Sequence, residues 1–203
     1  DGTAGEPDPW VVDPSVDPFD EDGIVDQFAF DERYGFAETA ADTQSCQSTA
    51  IINAYVELQP NGIPLDLLDK TVGDWKQEAT YDGRAATPVH TDGSPRDANS
   101  MSNILARNLD RDDHLAFVYD PSDNWSQVTY ESQEGFESSG YPVAIERRER
   151  VIDPIANTTA QHFTALIEDG ESYTSIDSLD PEREFAAKYT VTELLPMRWL
   201  PTQ

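Results

Sequence analysis

The chain has 203 residues, a length that favours one domain of ordinary size with its own hydrophobic core. It carries 40 acidic residues against 13 Lys and Arg, which gives a formal net charge of -27 at pH 7. This balance excludes a protein that binds the phosphate backbone of nucleic acids, because such binding uses Lys and Arg to displace counterions. Hydrophobic residues still make up 37% of the chain, so we expect the acidic residues on the surface of a folded protein.

A surface with so many carboxylates and so few lysines repels itself in dilute buffer and tolerates concentrated salt, which screens the repulsion. We therefore predict a halophilic protein. A source in a halophilic archaeon or one of its viruses is the accompanying hypothesis, and the location is left open, with an extracellular or virion-associated one favoured over the cytoplasm. No apolar run reaches the roughly 18 residues that a membrane span needs. A single cysteine, Cys46, excludes an intramolecular disulfide and a Cys-based zinc cluster.

The first part of the chain predicts an extended acidic arm over residues 1–40, followed by a single domain over 41–203. Asp-Pro pairs recur at positions 8, 13 and 17, and each Pro disfavours helix at the residue before it. Trp10 and Phe19 interrupt the acidic stretch with apolar surface. We therefore expect the arm to lie against its own domain or against a protein partner.

Helical periodicity begins at Thr43 and ends at Pro60-Asn61-Gly62. Thr43 or Ser45 is the predicted cap of this helix, which places Cys46 in its first turn. Free N–H groups at a helix start stabilise a thiolate, so this position predicts a nucleophilic cysteine. Two further helices are predicted, from 64 to 76 and from about 95 to 109, with a loop between them.

The pattern changes to short runs rich in β-branched and aromatic residues after Asp113, with one short helix between 128 and 138. The predicted strands are His114–Tyr119, Ala144–Glu149, His162–Glu168, Ser172–Ser178 and Thr190–Leu195. Their spacing leaves no room for helical crossovers between the last strands. The sequence thus predicts an α+β fold, with helices first and a largely antiparallel sheet after them.

A nucleophilic cysteine needs a histidine partner, and the hairpin after His162 favours that histidine over the other two. A two-residue turn at Asp169-Gly170 would place His162 directly opposite Asp177, with Cβ atoms about 5 Å apart. A carboxylate there can hold one imidazole nitrogen and leave the other for the thiol. His90 and His114 are interpreted as structural residues.

This order of residues resembles the papain-like cysteine peptidases, and most closely their bacteriocin-leader-peptidase-like branch. The matching segments are Thr43-Gln44-Ser45-Cys46-Gln47-Ser48-Thr49-Ala50, Gly140-Tyr141-Pro142-Val143-Ala144-Ile145, Gln161-His162-Phe163-Thr164-Ala165-Leu166-Ile167 and Ser175-Ile176-Asp177-Ser178. The resemblance implies a fold in which the Cys46 helix packs on the C-terminal sheet. It also implies a peptidase with Cys46 as nucleophile, His162 as base and Asp177 as orienting residue.

The same resemblance implies a peptide or protein substrate and neither cofactor nor metal. The family usually places a glutamine five or six residues before the cysteine to bind the oxyanion, whereas Ala40 and Ala41 stand there in this chain. Gln44 is the nearest candidate for that role. Two alternatives stay open: a noncatalytic binding or structural module of a virion or surface, and transglutaminase-like acyl transfer, which uses the same order of residues.

Two charged clusters have a structural interpretation. The acidic residues from Asp17 to Asp22 do not match the spacing of a calcium loop and are expected to be solvated. The basic run from Arg147 to Arg150 is expected to form ion pairs within the protein rather than to contact nucleic acid.

Overall fold

A computed structural model describes residues 12–36, 42–78, 101–170, 172–179 and 189–202. In these ranges the chain forms five α-helices and seven β-strands. The helices are α1 (Gln27–Tyr34), α2 (Asp42–Leu58), α3 (Leu65–Glu78), α4 (Met101–Asn108) and α5 (Gln133–Ser139). The strands are β1 (Asp113–Phe117), β2 (Tyr119–Asp120), β3 (Ser126–Gln127), β4 (Val143–Asp153), β5 (Thr158–Asp169), β6 (Ser172–Ile176) and β7 (Thr190–Pro201). His90 and the loop predicted around it lie outside the described residues.

Five of these strands form one antiparallel sheet in the order β1-β7-β4-β5-β6. The predicted α+β class with an antiparallel sheet is confirmed. Hairpins join β4 to β5 and β5 to β6, as short connections between neighbouring strands require. Strand β7 inserts between β1 and β4, so the last described strand completes the sheet.

The two faces of the sheet have different covers because alternate side chains of each strand point to opposite faces. The first face packs against α1 to α4 and holds the larger core. Its strand residues include Val143, Ile145, Ala165, Ile167, Leu195 and Met197. The second face packs against Phe136 of α5 through a smaller cluster of Ala144, Leu166 and Leu194.

The predicted extended arm contains a helix, α1, whereas the described residues 12–26 before it form turns and an isolated bridge between Phe19 and Val25. Asp26 caps α1 by accepting hydrogen bonds from the backbone N–H groups of Phe28 and Ala29, so the acidic stretch starts a helix instead of preventing one. Phe30 and Phe36 are fully buried, and Phe19 packs against the same core. These contacts agree with the expectation that apolar residues of this region lie against their own domain, whereas Trp10 lies outside the described residues.

Strands β4 and β5 are longer than predicted at the ends joined by their hairpin, where pairing continues to Asp153 and Thr158. Charged residues within the predicted part of β4 find partners in the sheet. Arg147 pairs with Glu193 of β7 at 3.0 Å, and Arg148 pairs with Glu146 at 3.4 Å. The interpretation of the basic run as an internal ion-pair site is confirmed for these two arginines. No helix in the described part of the chain is long and apolar enough to cross a membrane.

Candidate active site

Cys46 lies near the start of α2, on a part of the helix that faces β5. The helix begins at Asp42, before both predicted caps, so Thr43 and Ser45 are helical residues. Ser45 Oγ donates a hydrogen bond to Asp31 Oδ2 at 3.2 Å, which ties α2 to α1. The side chain of Cys46 is buried, with the residue 4% exposed.

The electrostatic surroundings of the thiol differ from the sequence-based expectation. Burial raises the pKa of Cys46 above its usual value, and the carboxylate of Asp31 adds to the increase. Hydrogen bonding from the backbone N–H groups of Phe163 and Gln47 acts in the opposite direction without outweighing burial. The prediction that Cys46 lies in the first turn of its helix is wrong, because α2 begins at Asp42 and Cys46 is its fifth residue. The largest stabilising hydrogen bond to the thiol comes from the amide of Phe163 on β5, and burial outweighs it, so the thiol is protonated at neutral pH.

His162 and Asp177 form a hydrogen-bonded pair, as the sequence predicted. The Nε2 atom of His162 lies 2.6 Å from Oδ1 of Asp177. The same carboxylate oxygen accepts the backbone N–H of Leu179 at 2.9 Å, which fixes the carboxylate. His162 is 3% exposed, and its ring also contacts the ring of Tyr189, with centroids 5.4 Å apart. Because Nε2 is held by Asp177, Nδ1 is the nitrogen left for a proton transfer.

The strand register that led to this pair was wrong by two residues. Asp169 pairs with Ser172, so the turn begins at Gly170, which has a φ of 67°. Glycine at the first central position suits the hairpin turns that match strand twist, whereas Asp169 remains in the strand. In the observed register, position 177 faces Thr164 rather than His162. The pair forms across the diagonal, which the length of the histidine side chain allows.

Cys46 and His162 line one cavity of about 480 Å³. The described residues around it are Gln27, Phe28, Cys46, Ile152, Thr159, Ala160, Gln161, His162, Phe163, Leu179 and Tyr189. Alternation along β5 directs His162 to the same face as Leu166, opposite the face that α2 covers. Cys46 and His162 thus line the cavity from opposite faces of the sheet, at the part of β5 where no described strand pairs with its outer edge.

Gln27, which the sequence reasoning missed, lies at the start of α1 and lines this cavity. Its Oε1 atom accepts a hydrogen bond from Ser178 Oγ at 3.2 Å, and its backbone N–H donates to the carbonyl of Ser178 at 2.8 Å. These two bonds hold Gln27 beside the residues that follow β6. Their partner, Ser178, is the residue directly after Asp177. No local pattern marks Gln27, because its place depends on folding of the acidic segment. The side chain of Gln44 is outside the described part of α2.

Nothing in the described residues brings three or more His, Cys, Asp or Glu side chains together as a metal site. Asp20 of the acidic cluster instead accepts the backbone N–H groups of Asp22 and Ile24 and forms a turn. Searches with protein-family models, against curated proteins and against solved structures gave no significant match. The papain-like resemblance therefore remains a prediction from the residues quoted above.

Proposed function

We propose that this protein is a thiol-dependent hydrolase that acts on peptide bonds. The observation that carries the proposal is the placement of Cys46 and the Asp177-bound His162 on one cavity. A nucleophile, a base and a residue that orients the base are the parts that acyl transfer through a cysteine requires. The papain-like fold and the assignment to a halophilic source belong to the same proposal.

The raised pKa of Cys46 makes base-assisted attack the consistent mechanism. The sulfur attacks the substrate carbonyl carbon while its proton passes to Nδ1 of His162, and Asp177 stabilises the imidazolium through Nε2. The C–N bond then breaks as the imidazolium gives its proton to the leaving amine. Water, deprotonated by His162, attacks the thioester, which releases the acid and restores the thiol.

Gln27 is the proposed side-chain donor to the oxyanion that forms in this reaction. Its carbonyl oxygen is held by Ser178, which leaves the amide N–H₂ group as its donor toward the cavity. In Gln27→Ala we expect a loss of about 10² to 10³ in kcat, the effect of removing one such donor. Gln133→Ala, a glutamine on α5 away from the cavity, is the matched control.

A noncatalytic binding module is the second candidate function. The observation that favours it is the burial of Cys46, whose pKa is shifted away from that of an activated thiol. In this case the cavity binds a ligand without turning it over, and Cys46 serves as a small packing residue.

The two functions are separated by acyl transfer from p-nitrophenyl acetate in about 1 M KCl, followed by intact-mass measurement. The hydrolase proposal predicts one acetyl group on the protein, located on Cys46 and then lost by hydrolysis. Acetylation should disappear in Cys46→Ala and fall strongly in His162→Gln. His114→Gln is the control, since His114 is also a buried histidine of the sheet but does not line the cavity.

Equal acetylation of the wild-type protein and Cys46→Ala would contradict the hydrolase proposal. So would a His162→Gln variant that reacts as fast as His114→Gln. Either result would leave the binding module as the better account of the cavity.

A further inference from the structure

Strand β5 is only partly covered on its outer edge. It has 12 residues, whereas its outer neighbour β6 has five. Strand β6 pairs with the second half of β5, from Ala165 to Asp169. Strand β4 pairs along the whole length of β5 on the other side, down to Thr158. Among the described residues, therefore, the first half of β5 has no strand partner on its outer edge.

The direction of the backbone groups along β5 follows from one hydrogen bond. Glu168 donates its backbone N–H to Pro142 at the start of β4, at 3.0 Å. Backbone groups of successive residues alternate between the two sides of a strand, so even-numbered residues of β5 face β4. Thr159, Gln161 and Phe163 consequently direct their N–H and C=O groups to the open edge.

The cavity includes this edge and extends over β5 to Ile152 of β4 and to Tyr189. The five consecutive residues from Thr159 to Phe163 all line it, which a cavity on one face of a strand would not give, since alternate residues would point away. No carboxylate is among its described lining residues, although the chain has 40 acidic residues. The described lining therefore offers strand backbone groups and mostly uncharged side chains, with which a neutral peptide backbone can pair.

The thiol of Cys46 lies at the Phe163 end of the backbone groups that Thr159, Gln161 and Phe163 direct to the open edge. Its contact with the amide of Phe163 occupies the position where the next carbonyl of an added strand would bind. We propose that an uncharged peptide binds here in extended form, as a strand that pairs with Thr159 and Gln161 and continues the line of β6. Its next carbonyl then lies at Cys46, which makes the bound peptide the substrate if the proposed hydrolase function holds.

Apolar side chains around the cavity add a preference to this backbone recognition. Phe28 and Ile152 are large apolar residues that are 43% and 58% exposed, and both line the cavity with Leu179 and Tyr189. Alternate side chains of an added strand would meet this surface. We therefore infer a substrate with a large apolar residue near the bond that is cleaved.

Binding is tested in Cys46→Ala, so that no probe is consumed and the outcome does not depend on catalysis. The probe is a short capped peptide of alternating leucine and alanine, titrated in about 1 M KCl and followed by the amide NMR signals of Thr159 and Gln161. Both amides should shift and become protected from hydrogen exchange. A peptide N-methylated on the nitrogens that face β5 should bind at least about tenfold more weakly, because it loses hydrogen bonds to the edge.

Two variants test the parts of the site separately. Gln161→Pro removes an N–H that points to the open edge without breaking the ladder to β4, and it should weaken binding by about tenfold. Ile152→Ser should weaken binding of the leucine-containing peptide several-fold. Ile155→Ser is the control for it, since Ile155 lies in the same hairpin, is 96% exposed and does not line the cavity.

Three results would overturn the inference. They are equal affinity for the N-methylated peptide, protection of the Thr159 and Gln161 amides before any peptide is added, and concentration-dependent dimerisation that the peptide does not displace. If the peptide binds as expected while the wild-type protein never forms an acyl intermediate, the hydrolase proposal fails and the peptide site stands.

Discussion

Replacing Arg33 with methionine tests how the acidic N-terminal segment is held to the domain. Arg33 is 5% exposed and bonds both carboxylate oxygens of Asp69 on α3, with its Nε at 2.9 Å and its second terminal nitrogen at 2.7 Å. Its other terminal nitrogen donates to the carbonyls of Val16 and Asp13. One guanidinium thus joins α3 to the segment that leads into α1.

The cost of Arg33→Met follows from what the substitution leaves behind. Methionine keeps much of the apolar part of the arginine side chain. It leaves the partly buried carboxylate of Asp69 and the backbone carbonyls of Asp13 and Val16 without the hydrogen bonds that the guanidinium donates. Removing one partner of a buried ion pair costs about 3 to 5 kcal/mol, a large share of the roughly 5 to 15 kcal/mol of a whole domain. For a domain of this size we expect Tm to fall by about 10 °C.

The same pair makes stability depend on acid pH. Burial alone would raise the pKa of Asp69, but the hydrogen bonds from Arg33 and Tyr34 outweigh it and hold the pKa below its usual 3.8. The pair therefore stabilises the fold fully above about pH 4 and loses this contribution as the pH falls through the lowered pKa. Asp69→Asn should be less stable than wild type at neutral pH and should lack this part of the acid dependence.

Thermal unfolding followed by circular dichroism, in constant high salt, measures both effects. Lys70→Met is the control, because Lys70 is exposed where it pairs with Asp74 and such pairs contribute less than about 1 kcal/mol. Equal losses in Arg33→Met and Lys70→Met would refute the reasoning. Gln27 and Phe28 belong to α1 and line the cavity. Arg33→Met should therefore also weaken binding of the extended peptide, to the extent that α1 detaches from the domain.

Three further predictions concern the site and the charge. At pH 7 iodoacetamide should label Cys46 more slowly than a free thiol, because burial raises the pKa of the Cys46 thiol. The labelling rate should continue to rise with pH beyond about 9. Labelling faster than that of a free thiol at pH 6 would instead show an activated thiolate. Asp177→Asn should lower acyl transfer by about 10² to 10⁴, measured against Asp153→Asn, at the last residue of β4, as control. The Tm of the wild-type protein should rise markedly between about 0.1 and 1 M KCl, and a flat Tm would contradict the halophilic assignment.

Local patterns in the sequence were sufficient for most helices and strands. The predicted caps of α2, Thr43 or Ser45, place its start two to four residues after the observed start at Asp42, whereas the helix itself was predicted because the apolar spacing of a long helix is a strong signal. Each strand of the sheet was predicted, but β4, β5 and β7 are longer than predicted, whereas β1 and β6 end two residues before their predicted ends. The parts of β4 and β5 nearest their hairpin are mostly exposed, so no buried apolar pattern marks them, and their pairing with each other cannot be seen locally.

The N-terminal segment shows where local patterns mislead. Its Asp-Pro pairs and acidic composition predicted an extended arm. A proline, however, restricts only its own backbone and that of the residue before it, so it does not prevent a helix farther along the chain. From Gln27 onward no proline intervenes, and Phe30 and Tyr34 place aromatic rings on one face of a single helix that the core can bury. Burial of these rings and the ion pair of Arg33 stabilise the folded segment and offset the repulsion between its acidic residues. Both interactions depend on α3, which lies far along the chain.

The candidate site was predicted through a wrong register and still contains the predicted pair, because an error of two residues keeps the same face of the strand. A shift of one would have sent Asp177 to the α2 side of the sheet. The sequence pattern could not predict on which side of the sheet Cys46 lies relative to His162 and Asp177. The sequence placed both groups on one face, whereas α2 covers the other face and the thiol reaches the cavity at the edge of β5, beside the amide of Phe163. This position depends on β6 ending at Ile176, since a longer β6 would pair with Phe163 and fill part of the cavity that Cys46 and His162 line.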